Sequence, residues 1–584
     1  MDTRARRLSL AEPELAVERR RDGSMVLRSP QPLGLPERCV GDWLTRWAAA
    51  TPDRVFLAER RDGAWFELPY ARALDEVRRL AQGLLDQGLG PDAPLMVLSD
   101  NSVEHALIAL AAMHVGVPVV PVSPAYSLSS SDHAKLRQVA ELIAPGLVYA
   151  DGARFAPALA ALRRPVADVT VLRRRPPTTA VDEAHARVGP DTVAKVLLTS
   201  GSTGTPKGVI NTQRMLTTNQ QQARQVWPFV LEQPPVLVDW LPWNHTFGGN
   251  FNLHLVLANG GTFYIDGGKP VPGLIDHTLA NLREVAPTMY FNVPRGFDLL
   301  LPVLEQDEAL RRRFFSRCGF LLYAGAALPE HLWRRLAAMA KAERGEDVLL
   351  ASSWGSTETA PLVVAVHAPV AEPGIVGLPV PGCELKLVPS AGKLEARVRG
   401  PQVTPGYWRR DDLSAAAFDD EGFYRMGDAL RFADAGQPAR GLVFDGRIAE
   451  DFKLRTGTWV HVGALRTRLL AAADPLVQDA VIAGHDRDEV GALLFLNPAR
   501  VDGLSPTQVH DHLARALTRL NAGGGSSVRI ARARVLAEPP RIALGEITDK
   551  GYLNQRAVLQ HRADDVTRLY DDADADLIRP AASD

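Results

Sequence analysis

Short apolar runs recur along this chain, each followed by a turn of small residues and then by a stretch whose apolar positions repeat at helical spacing. Val196-Leu197-Leu198 leads into a Gly/Ser/Thr turn, and a polar helix is expected from Asn211. Phe320-Leu321-Leu322-Tyr323 leads into Gly325, and the segment from Pro329 to Ala342 reads as a helix with proline in its first turn. Val348-Leu349-Leu350 leads into a Ser/Gly/Thr stretch ending at Glu358. Strands alternating with helices predict α/β layers, and ligands of such folds gather at the loops after the strands. The most apolar run, Ala106 to Val122, carries His114, Gly116, Pro118 and Pro121. It is shorter than the roughly 20 residues of a membrane span, so a buried helix running into a buried strand is expected. From Gly374 to Phe444, frequent Pro and Gly and short runs (Glu384 to Val388, Leu394 to Val398) predict a small β-rich subdomain. Beyond Phe444-Asp445-Gly446-Arg447 the chain turns helical near Ala464 and ends in a last α/β portion, which places the main boundary at 446–451. The first forty residues, Arg-rich and patternless, read as a partly mobile arm, and Gly523 to Ser527 as a flexible loop.

Composition narrows the class. The 584 residues correspond to three or four domains or subdomains at about 150 residues each. With 46% hydrophobic and 23% charged residues, a large buried core is attainable, and wholly disordered or fibrous classes are excluded. Lys+Arg at 66 against Asp+Glu at 68 leaves a net charge of -2, which argues against a nucleic-acid partner. Cys39, Cys318 and Cys383 are odd in number and far apart, indicating neither a disulfide framework nor a zinc site. The N-terminus lacks a continuous apolar segment of the secretory kind, so the expectation is a cytoplasmic protein without a membrane partner.

The densest chemistry lies in Leu198-Thr199-Ser200-Gly201-Ser202-Thr203-Gly204-Thr205-Pro206-Lys207-Gly208. Small residues after a buried strand let backbone N–H groups approach an anion, hydroxyls add donors, and Lys207 adds a mobile positive charge. A triphosphate leaving as pyrophosphate needs such a cradle. The spacing is not that of the common triphosphatase loop, in which Ser or Thr follows the lysine.

This loop resembles the signature of the adenylate-forming superfamily, which includes acyl-CoA synthetases, luciferases and peptide-synthetase adenylation domains. Further motifs follow in that family's order between about Val40 and about Gln560. The resemblance implies a large N-terminal domain of layered α/β subdomains plus a β-rich subdomain (1–445), a hinge (446–451) and a smaller mobile C-terminal α+β domain (452–584). It implies that a carboxylic acid attacks the α-phosphate of ATP, giving acyl-adenylate and pyrophosphate, and that a thiol then displaces AMP. ATP-binding residues carried over are Thr199, Ser200, Gly201, Ser202, Thr203, Gly204 and Lys207 in the loop. Gly325, Ala326 and Ala327 form the adenine turn, and Trp354 and Gly355 supply the adenine stack where the family usually has Tyr. Thr357 is implied at the α-phosphate and Glu358 at Mg²⁺, an ion that takes one or two carboxylates plus phosphate and water. Asp428 in Tyr424-Arg425-Met426-Gly427-Asp428, with Arg447, is implied at the ribose.

Trp243-Asn244-His245-Thr246-Phe247-Gly248 resembles the aromatic/His motif that gates the acid pocket. Trp243, His245, Phe247, Phe251, Val293 and Phe297 are the expected lining, with His245 among the catalytic residues. No acidic residue stands between Pro242 and Leu253 to pair with a substrate ammonium, so a neutral acyl or aryl acid is expected. The C-terminal part departs from the general pattern. Ala449 stands where a charged hinge residue is common, Gly457 (the coenzyme A channel position) and Val460 survive from their run, and Gly545 is followed by Glu546 in place of lysine. Lys550, in Gly545-Glu546-Ile547-Thr548-Asp549-Lys550, is the candidate catalytic lysine that would neutralise charge at the α-phosphate. These departures, with SPAYSL (Ser123 to Leu128) and NQRAVL, look like feruloyl-CoA synthetases. The implied function is an acid–CoA ligase using ATP, Mg²⁺ and coenzyme A on a small-molecule carboxylic acid, with room for a homodimer. Ferulate, coumarate, caffeate, benzoates and medium-chain acids all stay open. So do a carrier-protein acceptor and a non-catalytic nucleotide-binding regulator.

Overall fold

A computed structural model of the chain describes residues 8–129, 132–200, 206–271, 273–325, 328–370, 372–523, 525–541, 544–547 and 553–581. The fold is mixed α/β, with a large N-terminal and a smaller C-terminal domain. By internal packing the chain forms two units. One comprises residues 1–386, 397–426 and 432–443, the other 387–396, 427–431 and 444–584.

In the first unit a five-stranded sheet runs Leu147–Ala150, Leu95–Leu98, Val119–Val122, Val193–Ser200, Pro206–Thr212. Its first four strands are parallel and the last is antiparallel. The apolar run read from the sequence is the buried helix Val103–His114 followed by the buried strand Val119–Val122. Met96, Leu98, Val120, Val122 and Val196 pack beneath Leu136, Val139 and Phe155 to form one core. At about 1.5–3 kcal/mol per fully buried large apolar side chain, such a cluster outweighs any single polar contact in the layer. A second sheet orders Val236–Asp239, Thr262–Ile265, Val55–Arg61 and Ala64–Pro69.

A third parallel run, Met289–Asn292, Phe320–Tyr323 and Leu349–Trp354, continues antiparallel into Val364–Ala365 and Ile375–Pro379. Helices Pro294–Gln306, Glu308–Arg317 and Glu330–Arg344 back the parallel strands through Leu300, Leu304, Phe314 and Leu336. Pro329 occupies the position before the last of these helices, and Gly345, at φ +74°, ends it in the left-handed conformation glycine favours. The region from Gly374 to Phe444 is β-rich as the sequence suggests, with strands Ile375–Pro379, Glu384–Ser390, Lys393–Arg399, Tyr424–Phe432 and Leu442–Arg447.

Two expectations need correction. The signature loop does not lead directly into a helix. Pro206–Thr212 returns as a strand against Val193–Ser200, and the helix begins at Gln213, capped by Thr212, which accepts from Met215 N. That helix, Gln213–Val226, is polar but not exposed, since Thr217, Thr218, Asn219, Gln220 and Gln222 are all buried. Nor is the N-terminal segment patternless, because Ala16–Arg19 and Met25–Arg28 pair antiparallel and Arg28 bonds Glu384 at 2.6 Å.

The second unit carries the sheet Val477–Ala483, Gly491–Leu496, Arg532–Val535. Helices Val462–Ala473 and Pro506–Leu520 cover one core, around Leu465, Leu469, Leu513 and Leu517. Helices Gln555–His561 and Ala563–Leu569 contribute Val558 and Leu569 to a second. Among the described residues no helix is long and apolar enough to cross a membrane.

Candidate functional site

The antiparallel pairing sets Thr199 opposite Lys207 and Ser200 opposite Pro206. Of the loop residues, Gly201, Ser202, Thr203 and Gly204 lie outside the described residues, as does the Ser200 side chain. Lys207 is half-buried, with Nζ 5.2 Å from the ring centroid of Tyr407. Tyr407 reaches this place because Gly406–Trp408 adds to the edge of the returning strand. Ile210 N donates to Gly406 O (3.1 Å) and Trp408 N to Gly208 O (2.7 Å). A Cβ on Gly208 would lie 2.8 Å from Val196 and 3.2 Å from Trp408, so the layer closes only over glycine.

Gly325 follows the strand Phe320–Tyr323 with φ +87°, and Ala326 and Ala327 lie outside the described residues. Trp354 ends its strand nearly buried. Gly355 leaves no room for a side chain, because a Cβ there would sit 1.6 Å from Pro361 O. Ser356 then caps a short turn. Its side chain accepts from Glu358 N (3.2 Å), and its N–H donates to Thr359 Oγ1 (2.9 Å). This turn presents Thr357 and Glu358, both half-buried. Thr404 N donates to Glu358 O at 2.8 Å, and the Tyr407 hydroxyl donates to Glu358 Oε1 at 3.2 Å. Tyr407 also lies 3.0 Å, oxygen to oxygen, from Tyr424. Burial and the Glu358 charge push both phenols above their usual range, so both remain protonated donors at neutral pH. The structure thus brings Lys207 over the ring, and Glu358 to the hydroxyl, of one tyrosine. Sequence reading missed Tyr407, whose only signal was an aromatic beside Gly406 with no partner visible along the chain.

Thr246–Asn252 forms a π-helical turn leading into the helix Leu253–Ala258. Glycine permits it, since a Cβ on Gly248 would lie 2.3 Å from Leu241 O, and one on Gly249 2.2 Å from Trp243 O. His245 and Phe247 are half-buried, and Asn244 Nδ2 lies 3.4 Å from His245 Nε2. Phe247 and Phe251 both meet Phe291 edge-on, at centroid distances of 6.3 and 6.2 Å, with Val293 two residues further along. Phe291 is the second residue that sequence reading missed. Phe297 belongs elsewhere. It packs edge-on against Tyr290 at 5.9 Å within the helix-backed core. Tyr290 and Phe291 are neighbours on one strand, so their side chains leave opposite faces of the sheet. Phe297 is therefore on the far side from Phe247. Trp243 is likewise a core residue, packed edge-on against His105 and Phe263.

In the second unit, Asp428 and Arg447 lie on neighbouring strands with Nε and Oδ1 3.6 Å apart. Arg447 is largely exposed and Asp428 largely covered. Burial pushes the Glu450 pKa up against the pull of Arg447 and Arg466. Gly457, at φ +83°, sits in the turn between Phe452–Lys453 and Trp459–Val460, with nothing near where a Cβ would stand. Lys550 lies outside the described residues. Glu546, in the place where the family's lysine is common, has a structural role. It is fully buried, takes Nε and Nη2 of Arg562 at 2.9 Å each, and accepts from Arg541 N at 2.8 Å.

A half-buried carboxylate and a lysine held at one tyrosine suit a polyanion with a hard divalent cation, and Glu358 supplies the oxygen donor such a cation prefers. The tightest His/Cys/Asp/Glu group among the described residues, Cys39, Asp42 and His185, is taken up by Arg38. Its Nη2 lies 2.6 Å from Asp42 and 3.1 Å from His185.

The chain belongs to the AMP-binding enzyme family, whose model matches residues 44–408, with the AMP-binding enzyme C-terminal domain matching 454–574. It falls among adenylate-forming acid–CoA ligases. It is similar to the long-chain-fatty-acid–CoA ligase FadD15 of Mycobacterium bovis, 25% identical over 594 residues covering 89% of this chain and 95% of that protein. It is also similar to a feruloyl-CoA synthase of an Amycolatopsis species, 27% identical over 398 residues, 67% of this chain and 75% of that protein. Among solved structures, ATP-bound MatB from Rhodopseudomonas palustris shares the fold at TM-score 0.69 and 21% identity, covering 90% of this chain and 99% of that one.

Proposed function

We propose that this chain is an ATP-dependent carboxylic acid–CoA ligase acting on a hydroxycinnamic or related aromatic acid such as ferulate. The observation that carries the reading is the meeting of Lys207 and Glu358 at Tyr407. In the first half-reaction the acid carboxylate attacks the α-phosphorus of ATP and pyrophosphate leaves. Lys207 neutralises the departing phosphates, Thr357 bonds the α-phosphate, and Trp354 and Gly325 hold adenine. Mg²⁺ on Glu358 would offset triphosphate charge. Asp428 and Arg447 take the ribose, and Lys550 approaches the α-phosphate from the small domain. That domain then turns about 446–451, and the CoA thiol enters past Gly457 to displace AMP.

The apolar cluster of Phe247, Phe251 and Phe291 supports an aromatic or acyl acid without an ammonium group. A carrier-protein acceptor is the second reading. It is favoured by 30% identity to the peptide synthetase CymA of Salinispora arenicola over 81% of this chain and 6% of that protein.

The test is AMP and pyrophosphate release with ATP and Mg²⁺ across cinnamic, benzoic and fatty acids, with and without CoA. Turnover that requires CoA and a hydroxycinnamate is expected. Acid-dependent pyrophosphate release that CoA cannot turn over would move the reading to a carrier acceptor. A Lys550→Ala variant that binds ATP but no longer adenylates excludes a merely regulatory protein.

A further inference from the structure

Lys195 lies on the strand Val193–Ser200 between Ala194 and Val196, and all three are buried. Its Nζ donates to Gly249 O at 2.8 Å, and Gly249 belongs to the π-helical turn Thr246–Asn252. The next two carbonyls of that turn, Asn250 O and Phe251 O, accept from Gln220 Nε2 at 3.3 and 3.2 Å. The turn's side chains are held as well. Asn250 donates to Asn211 Oδ1 (2.8 Å) and Asn252 to Asp239 Oδ2 (2.7 Å). A π-helix is rarely stable beyond a turn. Here, buried polar groups from other elements satisfy the backbone of the turn that presents Phe247 and Phe251.

Among these anchors Lys195, like the carboxyl of Asp239, works against the fold. An amine removed from water destabilises the folded state, and burial pulls this one down to about 7. Methionine would fill the same space without that cost. The cavity beside it, about 10 Å³ and lined by His105, Met113, Trp243 and Leu253, is at most the size of one water molecule. The hydrogen bond Lys195 makes goes to the backbone of the turn. Through this one bond Lys195 joins the strand that carries the phosphate loop to the turn that walls the acid.

We propose that Lys195 is a positioning residue that ties the phosphate-loop strand to the acid-pocket turn and thereby sets the affinity for the acid rather than the stability of the protein. This rests on the reading of Phe247, Phe251 and Phe291 as the acid wall. The test is Lys195→Met in the full chain, with steady-state AMP release on whichever of ferulate, benzoate or octanoate the wild type turns over. KM for the acid is expected to rise at least tenfold, with KM for ATP within twofold and the melting temperature unchanged or higher. Unchanged KM for the acid, or equal shifts in both KM values with a lower melting temperature, overturns it. Should none of the acids be turned over, the functional reading fails by itself, and amide hydrogen exchange of both proteins without substrate still decides the coupling. Faster exchange confined to residues 246–253 in Lys195→Met supports it, and unchanged exchange refutes it. If Lys195→Met does not fold, Lys195→Leu, which likewise has no donor, takes its place in both measurements with the same criteria.

Discussion

Replacing Tyr407 by Phe would remove one oxygen and leave the ring beneath Lys207. The lost hydroxyl donates to Glu358 Oε1 at 3.2 Å and lies 3.0 Å from the Tyr424 hydroxyl. A hydrogen bond to a charged group contributes about 1.5–3 kcal/mol, and 3.2 Å places this one toward the lower end. At about 1.4 kcal/mol per tenfold in rate, acid-dependent ATP–pyrophosphate exchange should fall roughly 10-fold. The concentration of Mg²⁺ giving half-maximal rate should rise, because Glu358 loses the contact that orients it. Since the ring remains, the Lys207 contact at 5.2 Å should survive, and KM for the acid should stay within twofold. Combining Tyr407→Phe with Glu358→Gln isolates the pair. If Tyr407 acts through Glu358, the two losses should fall short of additivity by about 1 kcal/mol or more. Full additivity, or an exchange rate within twofold of wild type in the single variant, would refute the argument.

Gly355→Ala should destabilise the first unit by about 3 kcal/mol in urea unfolding, because the new Cβ meets Pro361 O at 1.6 Å and backbone must move. Glu546→Gln should cost about 3 kcal/mol, since it leaves Arg562 buried without its carboxylate partner, and the loss should appear in the unfolding of the second unit. Asp239 should make the wild type lose stability as pH rises. Burial first, and the charge of Asp266 in addition, raise its folded pKa to about 7 against 3.8. The folded state therefore holds a proton that the unfolded state has released across pH 4 to 7, and this contribution declines at about 1.4 kcal/mol per pH unit. Urea unfolding of Asp239→Asn at pH 5, 6 and 7 should show a shallower decline than wild type, and parallel curves would exclude Asp239 as the cause.

Local pattern carried far in this protein. Apolar runs at Phe320 and Leu349 announce strands because a buried parallel strand needs nothing but contiguous apolar residues. The turns after them announce ligand loops, since small residues leave backbone groups accessible there. The family and the motif order were legible for the same reason, each motif being a contiguous stretch. What the sequence hid depends on partners far along the chain. Pro206–Thr212 has no clean strand alternation, yet it becomes a strand because Val193–Ser200 and Gly406–Trp408 lie on either side of it. The helix Gln213–Val226 reads as polar, and nothing along the chain shows that its amides are buried to satisfy distant backbone groups. Asn219 bonds Leu362 O at 3.0 Å, and Gln222 bonds Pro381 O at 3.0 Å. The residues expected from the sequence to line an acid pocket divide on a single strand, Phe291 facing Phe247 while Tyr290 takes Phe297 to the other face. Composition and spacing along the chain determined which elements form and which chemistry they carry. Only the packing of those elements decided which polar groups are buried, because a buried donor is tolerated wherever an acceptor from another segment reaches it.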